Sequence, residues 1–129
     1  MAGKHPILRL DDENDFGIVI QRQKYFTSMT SVNGWKQGST VIFLKNSDDG
    51  DSVVGFGYFD YVKKYVDMCL DDKIICEKDG YKFSLKLSRL AALNPPKPIK
   101  ETAIGTWGIS GKCLHGKKLS DNELETVLH

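Results

Sequence analysis

Two β-rich runs around a tight turn constrain this chain more than any other feature. Thr40–Leu44 (TVIFL) and Ser52–Tyr61 (SVVGFGYFDY) are dense in β-branched and aromatic residues, and Asp49-Gly50 stands between them in NSDDGDS. Asp-Gly between strand-like runs is a hairpin signal, because glycine supplies the positive φ that a tight reversal needs. Gly55 and Gly57 sit two apart on one face of the return strand. Glycines so placed let a sheet bend sharply, as a small barrel requires.

The remaining elements are arranged around that hairpin. Ile7–Leu10 is a short apolar run, followed by the acidic turn of residues 11–15. Phe16–Ile20 (FGIVI) is β-branched and reads as a buried strand. Gln21–Val32 is polar, with Tyr25, Phe26 and Met29 spaced for either a helical turn or a packed loop, and Gly34–Gly38 reads as a turn. After Val62 two readings stand: a helical face of Val62, Tyr65, Val66 and Cys69, or a strand running on to Tyr65. Asp71 or Asp72 can cap a short helix through Asp79, with Gly80 just past its end. Tyr81–Leu87 (YKFSLKL) alternates with period two, as a half-buried strand does. Pro95, Pro96 and Pro98 predict a rigid connector, and Ile104–Ile109 (IGTWGI) a strand.

The C-terminal segment carries the strongest local signal. Ser120 with Glu123 forms a capping box, Leu119 and Leu124 have the spacing of a hydrophobic staple, and Leu124, Val127 and Leu128 give one apolar helical face. The sum is an α+β fold: a mixed, largely antiparallel β pseudo-barrel with two to three short helices, in one domain spanning residues 1–129.

Charge is balanced on average and segregated locally. Lys and Arg number 18 against 17 Asp and Glu, which excludes a grossly basic or acidic chain. Gly17–Ser47 nevertheless holds four basic residues (Arg22, Lys24, Lys36, Lys45) and no acid. Lys97–Lys118 holds five lysines and His115 against Glu101 alone. If these segments meet, they form a positive face on a near-neutral protein, suited to polyanions. Aromatics interleave with the cations: Tyr25 and Phe26 near Arg22 and Lys24, Trp35 beside Lys36, and Trp107 ahead of Lys112. Aromatic planes with cations are what exposed bases and phosphates require. Trp107 reads equally well as a core residue, whereas Trp35, between Gly34 and Lys36, reads better as a pocket wall.

Motifs for chemistry are sparse. Cys69, Cys76, Cys113 and His115 lack the spacing of a zinc knuckle, and Phe59 stands where a calcium loop needs its bidentate Glu. Gly55-Phe56-Gly57 lacks the third glycine of a dinucleotide loop. No metal or other cofactor is expected. Cys113 and His115, two apart, are a conceivable catalytic pair on a strand. No run of about 18 apolar residues suggests a membrane span. The odd cysteine count, with no visible secretory signal, is read as reduced thiols in the cytoplasm.

Ile18–Phe59 resembles the EVE branch of the PUA-like domains. That run is about a third of the chain, and the matching residues within it are Lys36-Gln37-Gly38-Ser39-Thr40-Val41-Ile42-Phe43 and Val53-Val54-Gly55-Phe56-Gly57-Tyr58. Ser39 departs from the family pattern, which has Asp there. The resemblance implies a small pseudo-barrel that binds RNA or a modified nucleobase. Carried onto this chain, it implies a pocket lined by Gln21, Arg22, Gln23, Lys24 and Tyr25, with Trp35 before the matched strand and Asn46-Ser47 after it. The expected binding surface comprises these residues with Lys36, Trp107 and Lys112. Two alternatives stand beside it: a small-ligand enzyme using Cys113 and His115 in the same cleft, and a protein-interaction module.

Overall fold

The computed structural model describes residues 4–10, 16–47, 50–109 and 111–128. The expected acidic turn and the hairpin tip at Asp48-Asp49 lie outside the described residues. So do the side chains of Ser47 and Lys112.

Six strands form one mixed, open sheet: β1 (His5–Leu10), β2 (Lys24–Thr27), β3 (Thr40–Ser47), β4 (Gly50–Lys64), β5 (Phe83–Pro98) and β6 (Lys118–Leu119). Their spatial order is β2-β5-β4-β3-β1-β6. Every pairing is antiparallel except β1 with β3. Three α-helices accompany the sheet: α1 (Phe16–Arg22), α2 (Leu70–Asp79) and α3 (Asp121–Leu128). No helix among the described residues is long and apolar enough to cross a membrane.

The hairpin stands as expected, with Ser47 paired to Gly50 across its end. Its return strand runs to Lys64, so the strand reading of Val62 and its neighbours holds, and a 3-10 turn, Tyr65–Asp67, follows. Register shifts interrupt β4 near Val53, Phe56 and Phe59. Such bulges bend and twist a strand. The glycines allow close approach there. A Cβ on Gly55 would lie 2.2 Å from the Phe16 ring and 2.6 Å from the Ala91 carbonyl oxygen.

Three local readings are overturned. Phe16–Ile20 is helical and not extended: α1 buries Phe16 and Val19 on one side, and Phe16 packs on Phe43 with ring centroids 5.0 Å apart. Tertiary packing of a three-residue spacing outweighs the β-preference of Ile and Val. The proline triplet is not a connector but the far end of β5. Four residues, Leu93–Pro96, loop out between the Gly55–Ala92 and Val53–Lys97 pairs, which accommodates residues lacking a backbone N–H. Ile104–Ile109 is not a strand either. Ala103–Trp107 is a 3-10 turn, started by the Thr102 hydroxyl accepting the Ile104 N–H.

The sheet is covered on both faces. On one face, Leu8, Val41, Phe43, Phe59, Leu85 and Leu87 pack with α1, Val32 and Trp35. On the other, Ile7, Ile42, Leu44 and Val53 pack with Ile104, Leu114 and Val127. A third cluster of Phe26, Met68 and Cys76 seats α2 at the β2 end of the sheet. Burial is the largest influence pushing the Cys76 thiol pKa up.

Candidate functional site

Strand alternation places the charged side chains. Lys24 pairs with Lys86 across β2 and β5, and Lys86 with Tyr61 across β5 and β4. Directly paired residues point to the same side of a sheet, so these three form one row. Phe26, Ser84 and Lys63 form the next row on that side. The start of α2 stands against the two rows. Together they enclose a cleft of about 270 Å³ lined by Lys24, Tyr61, Lys63, Cys69, Asp72, Ser84 and Lys86.

The charges of the cleft are partly committed. Lys24 Nζ donates to Asp72 Oδ2 at 2.8 Å. That hydrogen bond, more than the opposing effect of burial, holds the Lys24 pKa above its ordinary value. Lys86 Nζ donates to the neutral Gln23 side chain at 3.2 Å. Lys63 Nζ stands 5.9 Å from the centre of the Tyr61 ring, and Tyr61 is 48% exposed. Three ammonium groups against one carboxylate give the cleft a positive field, with an accessible aromatic plane at its mouth.

Gln23 shapes this corner through the backbone. It has φ +56° and closes the end of α1, where its N–H donates to the Val19 carbonyl at 2.7 Å. Its own carbonyl accepts the Leu87 N–H at 3.0 Å. The left-handed residue thus turns the chain from α1 into β2, so that Lys24 faces the cleft.

The expected binding surface divides. Lys24 lines the cleft, Gln23 holds Lys86 at its edge, and the exposed Arg22 lies over the Phe26 ring at 5.9 Å. Gln21, Lys36 and Asn46 are exposed but line no part of the cleft. Tyr25 and Trp35 are corrections. Tyr25 alternates with Lys24 and therefore points into the opposite core, 6.3 Å from Phe43. Trp35 is buried edge-on against Phe59 at 5.6 Å, because the 3-10 turn Thr30–Gly34 folds it back under the sheet. Trp107 is half-buried against α3, and its Nε1 donates to Glu123 at 2.9 Å. It braces the C-terminal helix.

The two basic segments do not converge on the cleft. Lys24 and Lys118 sit on β2 and β6, the opposite edges of the sheet. The cleft takes its other lysines from β4 and β5, which sequence reading passed over. The alternation Tyr61-Lys63 and Ser84-Lys86 was the available signal. His115 and Cys113 stand away from the cleft, near β1. His115 Nδ1 accepts the Arg9 N–H at 3.0 Å, while the Arg9 guanidinium holds both Asp51 oxygens. A more open groove of about 430 Å³ lies between Pro95–Pro98 and the end of α3. Its lysine, Lys97, donates to the Thr126 carbonyl.

No protein-family model matches the chain, and no curated protein matches it. A solved structure titled as that of a hypothetical protein from Leishmania major is similar in fold. It has a TM-score of 0.56 at 13% identity, covering 99% of this chain and 93% of that one. The likeness concerns the path of the chain and carries no chemistry.

Proposed function

We propose that this chain is a binding domain for RNA or a modified nucleobase, and that the cleft under α2 is its binding surface. The observation that carries the reading is the convergence of Lys24, Lys63 and Lys86 from three adjacent strands around the half-exposed Tyr61. Ammonium groups neutralise phosphates, and an exposed tyrosine ring offers a base a stacking plane. The same reading takes the fold as PUA-like. The matched residues of the EVE resemblance lie in β3, in β4 and in the turn before β3, and bulges with glycines, as β4 carries, are the features by which a strand bends toward a pseudo-barrel. It also takes the protein as cytoplasmic, in keeping with its free thiols Cys69, Cys76 and Cys113.

The test is a filter-binding titration of single-stranded RNA at low salt. Lys63→Ala combined with Lys86→Ala should weaken binding at least about tenfold and flatten its salt dependence. Tyr61→Ala should weaken it by roughly 5- to 100-fold. Absence of RNA binding at low salt, or affinity indifferent to all three substitutions, defeats the reading.

The interaction-module reading has one observation in its favour. Val66, Leu70 and Ile74 are 74%, 73% and 54% exposed along the outer side of α2 and the turn before it. Apolar side chains grouped in this way mark contact surfaces. Leu70→Glu leaving RNA affinity intact while abolishing association with a protein partner would establish it.

A further inference from the structure

We infer that the cleft seats a terminal phosphate of its ligand, a phosphomonoester rather than an internal phosphodiester. The inference rests on the RNA-binding reading and specifies which part of the strand enters.

Two observations converge on an anion more highly charged than a diester. Three ammonium groups and the Asp72 carboxylate leave the cleft two positive charges in excess. A phosphomonoester carries about −1.5 to −2 near neutral pH, whereas a diester carries a single negative charge. The Ser84 hydroxyl belongs to a residue only 4% exposed, opens on the cleft, and makes no hydrogen bond to another described residue. It is a ready donor for a phosphate oxygen. The start of α2 borders the same space through Cys69 and Asp72, but Asp71 and Asp72 in its first turn offset the helix end, so the attraction for an anion comes from the strand lysines.

The shape selects an end over a passing strand. An internal phosphate needs room for chain on both sides. Here Lys24 and Asp72 join β2 to α2 through their 2.8 Å hydrogen bond and close one side. The mouth is marked by Tyr61 and Lys63, where the first base stacks while its phosphate reaches Lys86 and Ser84.

The shared chemistry is the phosphomonoester, which the 5′ or the 3′ end of a strand can supply. The experiment measures fluorescence anisotropy of one internally labelled oligoribonucleotide of about ten nucleotides in three forms: 5′-phosphorylated, 3′-phosphorylated, and hydroxyl at both ends. One phosphorylated form should bind at least about tenfold more tightly than the hydroxyl form. Millimolar inorganic phosphate should compete for it, at constant ionic strength. Lys63→Ala combined with Lys86→Ala should reduce the preference to twofold or less; Ser84→Ala should reduce it in the same direction. Because Ser84 is buried, the lysine pair carries the test, with an unchanged unfolding midpoint as its control. Equal affinity for all three forms overturns the inference and leaves RNA binding standing. A preference that survives the lysine substitutions also overturns it. Absence of binding in every arm overturns both.

Discussion

One face of the sheet is closed at one end and open at the other, although a helix covers each. At the β6 end, α3 meets the sheet through Val127, Leu124, Leu119 and Ile7, with polar groups matched at the margin. His5 is buried, its Nδ1 accepting the Thr40 N–H at 3.0 Å and its Nε2 lying 2.7 Å from Asp121. A backbone N–H can only donate, so that Nδ1 is unprotonated and the proton on Nε2 is given to Asp121. At the β2 end, α2 rests on a smaller cluster, Cys76 and Ile75 against Phe26 and Met68. Its first turn presents Asp72 to Lys24, and lysines on β4 and β5 keep it from closing. A helix that brings leucine and valine to a sheet makes core, and one that brings carboxylate to lysine leaves a cleft. Stability and binding should therefore separate between the two ends.

Leu119→Ala tests the closed end and should have the largest effect. Leu119 is fully buried and packs beneath α3, so truncation should cost about 3 kcal/mol, by lost burial and the cavity left behind. Urea unfolding measures it, and RNA affinity of the folded fraction should be unchanged. A loss below about 1 kcal/mol would mean that the closed end is not the stability centre.

Ser120→Ala should cost about 1 kcal/mol, since the Ser120 Oγ accepts the Glu123 N–H at 3.2 Å. The partner carboxylate makes this end sensitive to acid. The Ser120 N–H, then the Trp107 indole, hold the Glu123 pKa below its ordinary value of 4.5. His5, then Lys4, lower that of Asp121 below 3.8. A carboxylate depressed on folding stabilises fully above its unfolded value, and that stability is lost as pH falls through the folded one. Lys24 has the opposite sign. Its pKa is raised, so its contribution is complete below 10.5 and lost as pH climbs through the higher folded value. Thermal unfolding as a function of pH should show a shallower acid slope below about pH 4.5 in Glu123→Gln than in the parent protein. Identical slopes would remove Glu123 from the account.

What could be read in advance follows the same division between local and long-range causes. The C-terminal helix was legible because Ser120, Glu123, Leu119 and Leu124 interact within five residues of chain. The β3–β4 hairpin was legible for the same reason. FGIVI was misread because α1 is set by what Phe16 and Val19 bury, partners distant in sequence. Trp35 looked like a pocket wall from its polar neighbours, yet a 3-10 turn sends it into the core beside Phe59. Of the cleft, Lys24 was found and Tyr61, Lys63 and Lys86 were not. Each of these alternates legibly, but only the register of β2 with β5 and of β5 with β4 places them together. Composition along the chain reports charge density, while pairing decides where the charges meet.

At the open end, Lys63→Ala combined with Lys86→Ala should change stability by no more than about 0.5 kcal/mol, despite the loss of RNA affinity expected above. A drop of 2 kcal/mol or more would make these lysines structural and erase the contrast between the ends. Gln23→Gly is the finest probe of that contrast. Gln23 sits at φ +56°, where glycine avoids the steric cost borne by a residue with a Cβ. The substitution also removes the amide that accepts Lys86 at 3.2 Å, an exposed hydrogen bond of small worth. Relief of strain should slightly outweigh the added freedom of the unfolded chain, for a net gain of about 0.5 kcal/mol. Lys86 is at the same time released from an intramolecular partner, so RNA should bind as well as before or better. Stability that falls, with affinity falling alongside, would mean that the Gln23 side chain, and not only its backbone turn, builds the cleft.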